Sequence, residues 1–129
     1  MIKTIFAISA GASIGAVLRW FLGTKLNHIF PNLPLGTLSA NLIGGYLIGF
    51  FIAFFAQNSS ITPEWRLFII TGFLGGLTTF STFSAEMTML ITQAKYSSLL
   101  IGLLSHVGGS LFMTALGIAS FALISNLFH

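Results

Sequence analysis

Apolar residues fall along this chain in four long blocks, and polar residues and prolines collect in the short stretches between them. A hydrocarbon core about 30 Å thick takes about 20 apolar residues to cross as a helix. The blocks at roughly 4–24, 35–56, 66–92 and 98–126 meet that length. Pro31 and Pro34 punctuate the first connection, Asn58, Ser59, Ser60 and Pro63 the second, and Gln93 to Ser97 the third. The pattern predicts an all-α integral membrane protein, with residues 1–129 forming a single four-helix transmembrane domain. An even number of spans puts both termini on one side, and the residues left over make no separate domain.

One block departs from a plain apolar helix. Residues 72–84, GFLGGLTTFSTFS, carry Gly72, Gly75 and Gly76, followed by Thr78, Thr79, Ser81 and Thr82. Each glycine lowers helix propensity by up to about 1 kcal/mol relative to alanine. The hydroxyls offer the backbone other hydrogen bonds. A third helix broken near 75–80 is therefore expected. Unwound backbone at membrane depth is tolerated only where protein or a polar cavity surrounds it, so the break marks a site.

Composition agrees with the membrane reading. The chain is 55% hydrophobic and has five basic and two acidic residues, with a mean hydropathy of +0.97, too little polar surface for a soluble globule. It lacks cysteine, which removes disulfides and thiolate chemistry. The net charge of +3 is scattered over the ends of the spans and forms no basic stripe, so nucleic acid is not an implied partner. Lys3 ahead of an apolar run has the outline of a cleaved signal peptide. The run continues to Leu18, however, and three more spans follow, so it reads as a retained helix.

Orientation should follow the Lys and Arg bias of the loops. Lys3 and Arg66 lie on the side of the termini, and Arg19, Lys25 and Lys95 on the other. So even a balance gives no decisive direction. It permits insertion both ways and a homodimer with one subunit of each orientation. Small residues recur four apart at Gly11 and Gly15, Gly45 and Gly49, and Gly72 and Gly76, a spacing that lets helices approach closely. They serve packing within one chain or between chains. Four short helices alone leave little room for a polar path, which favours an oligomer, with a dimer the simplest case.

Catalysis finds little support. Glu64 and Glu86 are the only carboxylate side chains, and neither stands in a metal-binding pattern with a histidine. Arg19 is open to two roles, a snorkelling arginine beside Trp20 or a charge in a water-filled vestibule that draws anions. Asn41 can bridge helices, or its amide can donate two hydrogen bonds to an anion. Phe80 and Phe83 stand three apart, on one face of a resumed helix. They alternate with Ser81, Thr82 and Ser84, and their positive ring edges suit contact with an anion. Ser110 and Thr114 share a face of the fourth helix, with His106 one turn earlier. The hydroxyls bond back to their own helix or line a path. His106 is a neutral histidine bonded between helices or a proton carrier. Asn41, Phe80, Phe83 and the hydroxyls beside them bring no full positive charge inside the membrane, which suits passage of an ion better than its storage.

In this order within a four-span chain, GASIGAVLRW at 11–20, GTLSANLIGG at 36–45 and GFLGGLTTFSTFS at 72–84 resemble the Fluc fluoride channels, also called the CrcB family. The resemblance implies an antiparallel, dual-topology homodimer in the bacterial inner membrane, with two pores that let cytoplasmic fluoride leave passively. It implies that Asn41 is the pore asparagine and that Phe80 and Phe83 present ring edges to fluoride. Ser81, Thr82, Ser110 and Thr114 match a hydroxyl track beside them, and Arg19 the vestibule arginine. Glu86 matches an acidic residue near the pore end, or else caps its own helix. The carbonyls of Gly75 and Thr78 would hold a structural sodium ion at the dimer interface. The nearest rival is a small proton-coupled exporter of the multidrug-resistance type. Such exporters depend on a glutamate in the first helix, and residues 4–24 contain no acid.

Overall fold

The computed structural model describes every residue from Met1 to His129. Four stretches are long and apolar enough to cross a membrane, at Ile2–Leu26, Leu35–Gln57, Pro63–Thr92 and Tyr96–Leu127. The expected spans hold, and three begin a few residues earlier than the apolar blocks alone suggest. We number the helices α1 (Ile2–Leu26), α2 (Leu35–Gln57), α3 (63–77), α4 (Phe80–Thr92) and α5 (Tyr96–Leu127). The third span comprises α3 and α4. Pro63 sits in the first turn of α3, where its missing N–H costs nothing.

Alternate spans pack side by side. α1 lies against α3, and α2 lies against the latter part of α5. The glycine pairs explain both contacts. A side chain at Gly11 or Gly15 would collide with the backbone at Phe68 or Phe73, and one at Gly72 or Gly76 with that of Ile8 or Ala12. The first and third pairs thus form one seam between α1 and α3. Gly45 and Gly49 meet the Ser110 and Thr114 backbone, and Gly117 on α5 meets Tyr46 and Phe50. All three pairs serve packing within the chain, where close backbone approach replaces the hydrophobic drive that lipid cannot supply.

Ala40, Leu74 and Leu77 form a small core where α2 meets α3, and Phe83, Met87 and Leu90 form another on α4. Phe50, Phe51, Phe54, Phe55 and Phe121 meet through ring centroids 5.3 to 6.1 Å apart, mostly edge to face. Much of the phenylalanine content is therefore packing. Only 20 of the 129 residues are buried within the single chain, so most of its apolar surface faces outward, as a hydrocarbon surrounding requires.

The wide turns of π-helix interrupt two spans, over Leu67–Leu74 in α3 and Leu104–Gly108 in α5. Such turns concentrate at functional sites, and both lie beside the break in the third span. That break is narrower than expected. Gly75–Leu77 is still helical, and only Thr78 and Thr79 leave the helix. Gly72 and Gly76 are there for packing on α1, and the threonines make the interruption.

Candidate functional site

The backbone of Thr78 (φ −82°, ψ 155°) and Thr79 (φ −148°, ψ 122°) is extended, so the helix groups that normally pair across this point need other partners. Side chains supply them. The Thr79 hydroxyl accepts the Thr82 N–H at 3.1 Å and donates to the Thr82 hydroxyl, also at 3.1 Å, capping the start of α4. On the other side, the Leu74 carbonyl keeps its helical donor, the Thr78 N–H at 3.0 Å, and accepts the Thr78 hydroxyl as well at 2.8 Å. Arg19 reaches over from α1, and its Nε–H donates to the Gly76 carbonyl at 3.0 Å.

Asn41 on α2 grips the break from the opposite side. Its Oδ1 accepts the Thr79 N–H at 2.8 Å, and its Nδ2 donates to the Thr79 carbonyl at 3.1 Å. Taking the Thr79 N–H removes the donor that a continuous helix would give the Gly75 carbonyl. The same Nδ2 lies 3.0 Å from Nδ1 of His106 on α5. Thr79 fixes which way the amide faces, so His106 Nδ1 must accept, and the neutral ring carries its hydrogen on Nε2. That Nε2 is buried and has no partner.

Around this junction opens a cleft of about 480 Å³, lined among others by Asn41, Thr78, Phe80, Phe83, His106 and Ser110. No acidic or permanently charged side chain lines it. Phe83 is 7% exposed, and its ring lies with its centroid 4.7 Å from that of His106 and 5.7 Å from that of Phe80. Phe80 is 77% exposed and stands at the open mouth. The two phenylalanines do meet, one inside and one outside. Gly75 borders the same opening, with no atom of the chain crowding the position of a side chain there.

A second, smaller cavity is polar and is lined by Arg19, Trp20, Thr24, Asn27, Thr37 and Thr82 among others. Asn27, just past α1, accepts the Gly36 and Thr37 N–H groups at 2.7 and 3.1 Å and so caps α2 from outside it. The Thr37 hydroxyl donates to Oε2 of Glu86 at 2.6 Å, while Glu86 Oε1 is buried without a partner.

Comparison with known proteins decides the family. The family model described as CrcB-like protein, Camphor Resistance (CrcB), matches residues 6–118. The chain is 58% identical over 126 residues to the fluoride-specific ion channel FluC of Pseudomonas putida, covering 98% of this chain and 99% of that one. It is 59% identical over 120 residues to FluC of Pseudomonas paraeruginosa, covering 93% and 94%. FluC of Chromobacterium violaceum is 58% identical over 120 residues, covering 93% and 95%. This chain belongs to the CrcB family.

In this CrcB-family chain the residues singled out from sequence divide between the two cavities. Asn41, Phe80, Phe83 and Ser110 share the larger one, and Arg19 and Thr82 the smaller. Ser81 is exposed, 3.4 Å from the Thr79 hydroxyl. The Thr114 hydroxyl donates to the carbonyls of Ser110 and Gly45, both at 2.9 Å, and so ties α5 to α2. Arg19 does more than snorkel, since it holds one end of the break. Glu86 faces Thr37 on α2 and not the end of its own helix. Asn27, Thr37 and Thr79 escaped the sequence reading as site residues. Of these only Thr79 leaves a local signal, a threonine three residues before Thr82 in an N-cap pattern.

Proposed function

We propose that this chain is the subunit of a fluoride-selective channel that lets fluoride cross the bacterial inner membrane passively and so lowers its concentration in the cell. One observation carries the reading beyond the family: the uncharged cleft in which the Asn41 amide, the rings of Phe80 and Phe83 and the Ser110 hydroxyl converge. Ring edges and polar hydrogens can stand in for part of an anion's hydration shell. The absence of a fixed cation keeps the hold weak enough for release. Arg19 and the hydroxyls of the smaller cavity form a polar approach that concentrates anions before they enter. Glu86 marks the far end of the path on α4. Ser81 and Thr114 extend the run of hydroxyls on either side.

The cleft is open on one side of the single chain, and Phe80 stands exposed at its edge. A second, antiparallel copy would close it and would bury the outward apolar faces. The near balance of Lys3 and Arg66 against Arg19, Lys25 and Lys95 is consistent with such dual insertion. Gly75 and Thr78 fit a cation at that interface. The Gly75 carbonyl has lost its helical donor, because the Thr79 N–H is given to Asn41, and Gly75 is exposed at the open side of the cleft. Two copies would offer the Gly75 and Thr78 carbonyls as a compact oxygen cage for sodium. The ion's charge would satisfy carbonyls freed by the break.

A proton-coupled exporter is the weaker reading, because α1 contains no acidic residue. The decisive test loads purified protein into liposomes and follows fluoride and chloride efflux by electrode. Rapid fluoride efflux with chloride retained is expected, and chloride leaving as readily would overturn the selectivity. Removing sodium exhaustively should weaken activity or the dimer, and an unchanged protein would remove the ion from the account.

A further inference from the structure

His106 is the buried polar group that the proposed pathway leaves without a task. It is 3% exposed, lies within the π-helical turn of α5 and lines the larger cleft. Its Nε2–H has no partner, an arrangement that is expensive in a membrane interior. A structure that wanted only an apolar filler beside Phe83 would carry phenylalanine there. The side of the ring that is partnered shows what the histidine is for.

The Asn41 amide has two N–H hydrogens and both are engaged, one by the Thr79 carbonyl and one by His106 Nδ1. The first belongs to the bidentate grip on the break and cannot be given up without releasing the backbone. An anion that is to receive a hydrogen bond from Asn41 must therefore take the hydrogen that His106 holds. We propose that His106 competes with the passing anion for this one N–H and thereby sets how tightly the ion is held. The inference rests on the reading that Asn41 meets fluoride in the pore.

Capture of the ion breaks the Asn41–His106 bond and leaves His106 Nδ1 unpaired. Departure of the ion restores it. The histidine thus weakens the site by the value of a hydrogen bond and assists release, which conduction requires. The neighbouring ring of Phe83, 4.7 Å away, keeps the imidazole in place while the bond is open.

The test measures fluoride efflux from liposomes as a function of fluoride concentration for the full chain, and reads half-saturating concentration and maximal rate separately. His106→Phe keeps a ring against Phe83 and withdraws the acceptor. Its half-saturating fluoride should fall about fivefold to tenfold, the equivalent of a hydrogen bond that no longer has to be broken, with a lower maximal rate because exit slows. His106→Ala, which withdraws the acceptor without bulk, should shift half-saturation the same way. His106→Asn places an acceptor oxygen where Nδ1 stood and should bring half-saturation back toward the original value. A folded Phe or Ala variant with unchanged half-saturation would overturn the proposal, as would an Asn variant that tracks the Phe variant. Asn41→Ala separates this failure from that of the pathway itself. If it leaves both rate and half-saturation intact, Asn41 does not meet the ion at all.

Discussion

Replacing Asn41 by aspartate changes the amide nitrogen to oxygen with almost no change in shape, so its consequences can be worked out bond by bond. The Thr79 N–H keeps its acceptor, since Oδ1 at 2.8 Å is common to both residues. The two donated contacts are lost. At 3.1 Å from the Thr79 carbonyl and 3.0 Å from His106 Nδ1, an oxygen would face an acceptor on each side. His106 can move its hydrogen to Nδ1 and recover one contact, but the Thr79 carbonyl has no such remedy. Losing that bond and leaving the carbonyl unpaired costs about 2–4 kcal/mol of local stability. The negative charge adds a barrier to an anion. At about 4 Å and an effective dielectric of about 20 it amounts to about 4 kcal/mol, or roughly a thousandfold in rate.

Fluoride efflux from liposomes should therefore fall by at least a hundredfold in Asn41→Asp. Asn41→Ser is the control, a smaller uncharged residue that likewise loses the bond donated to the Thr79 carbonyl, and it should lose stability with a much smaller loss of flux. Thermal unfolding in detergent separates the two effects. An aspartate variant that conducts at the normal rate would remove Asn41 from the ion path. One that unfolds no earlier than the parent would refute the role of its amide in holding the break.

Three further outcomes follow from the geometry. Phe83→Ile should slow fluoride efflux and cost about 1 kcal/mol of packing, because its buried ring fits against His106 and Phe80; Phe80→Ile should slow efflux with little change in the stability of the single chain, and undiminished flux in both would count against ring contact with the ion. Arg19→Gln and Arg19→Lys should both destabilise the protein by about 1–2 kcal/mol in thermal unfolding, since neither reproduces the Nε–H bond to the Gly76 carbonyl; full rescue by lysine would show that only the charge matters. Ala94 has φ 56°, the only non-glycine residue here with positive φ, at the turn into α5. Ala94→Gly relieves strain of about 1 kcal/mol and loses part of it to added freedom in the unfolded chain. A small gain in thermal stability with unchanged fluoride flux is expected, and a loss of stability would contradict it.

The Arg19 and Glu86 positions show how far sequence could reach into the site. The position of Arg19 near the end of an apolar run allowed a snorkelling or a vestibule role, and neither reading included its bond to a carbonyl 57 residues away. Glu86 was open to a capping role, yet its partner is Thr37, 49 residues distant. Both contacts depend on how α1 and α2 lean on the third span, which no local pattern encodes. The hydroxyls on α4 and α5 behave likewise. Ser81, Thr82, Ser110 and Thr114 look equivalent as a string, but the packing of the helices sends Thr82 to one cavity, Ser110 to the other and the Thr114 hydroxyl onto the Gly45 carbonyl.

The sequence by itself determined the four spans, because crossing hydrocarbon requires a length and an apolarity that are counted residue by residue. It also determined that the third span is interrupted and that three glycine pairs mark close contacts. The tertiary structure alone decided what makes the interruption and what holds it. Gly75 and Gly76 stay helical, with Gly76 in the seam against α1, and Thr78 and Thr79 part from the helix because Asn41, Arg19 and the Thr79 hydroxyl take over its hydrogen bonds. In lipid every backbone group must find a partner within the protein. The place where a helix can open is therefore set by the side chains that neighbouring helices bring to it.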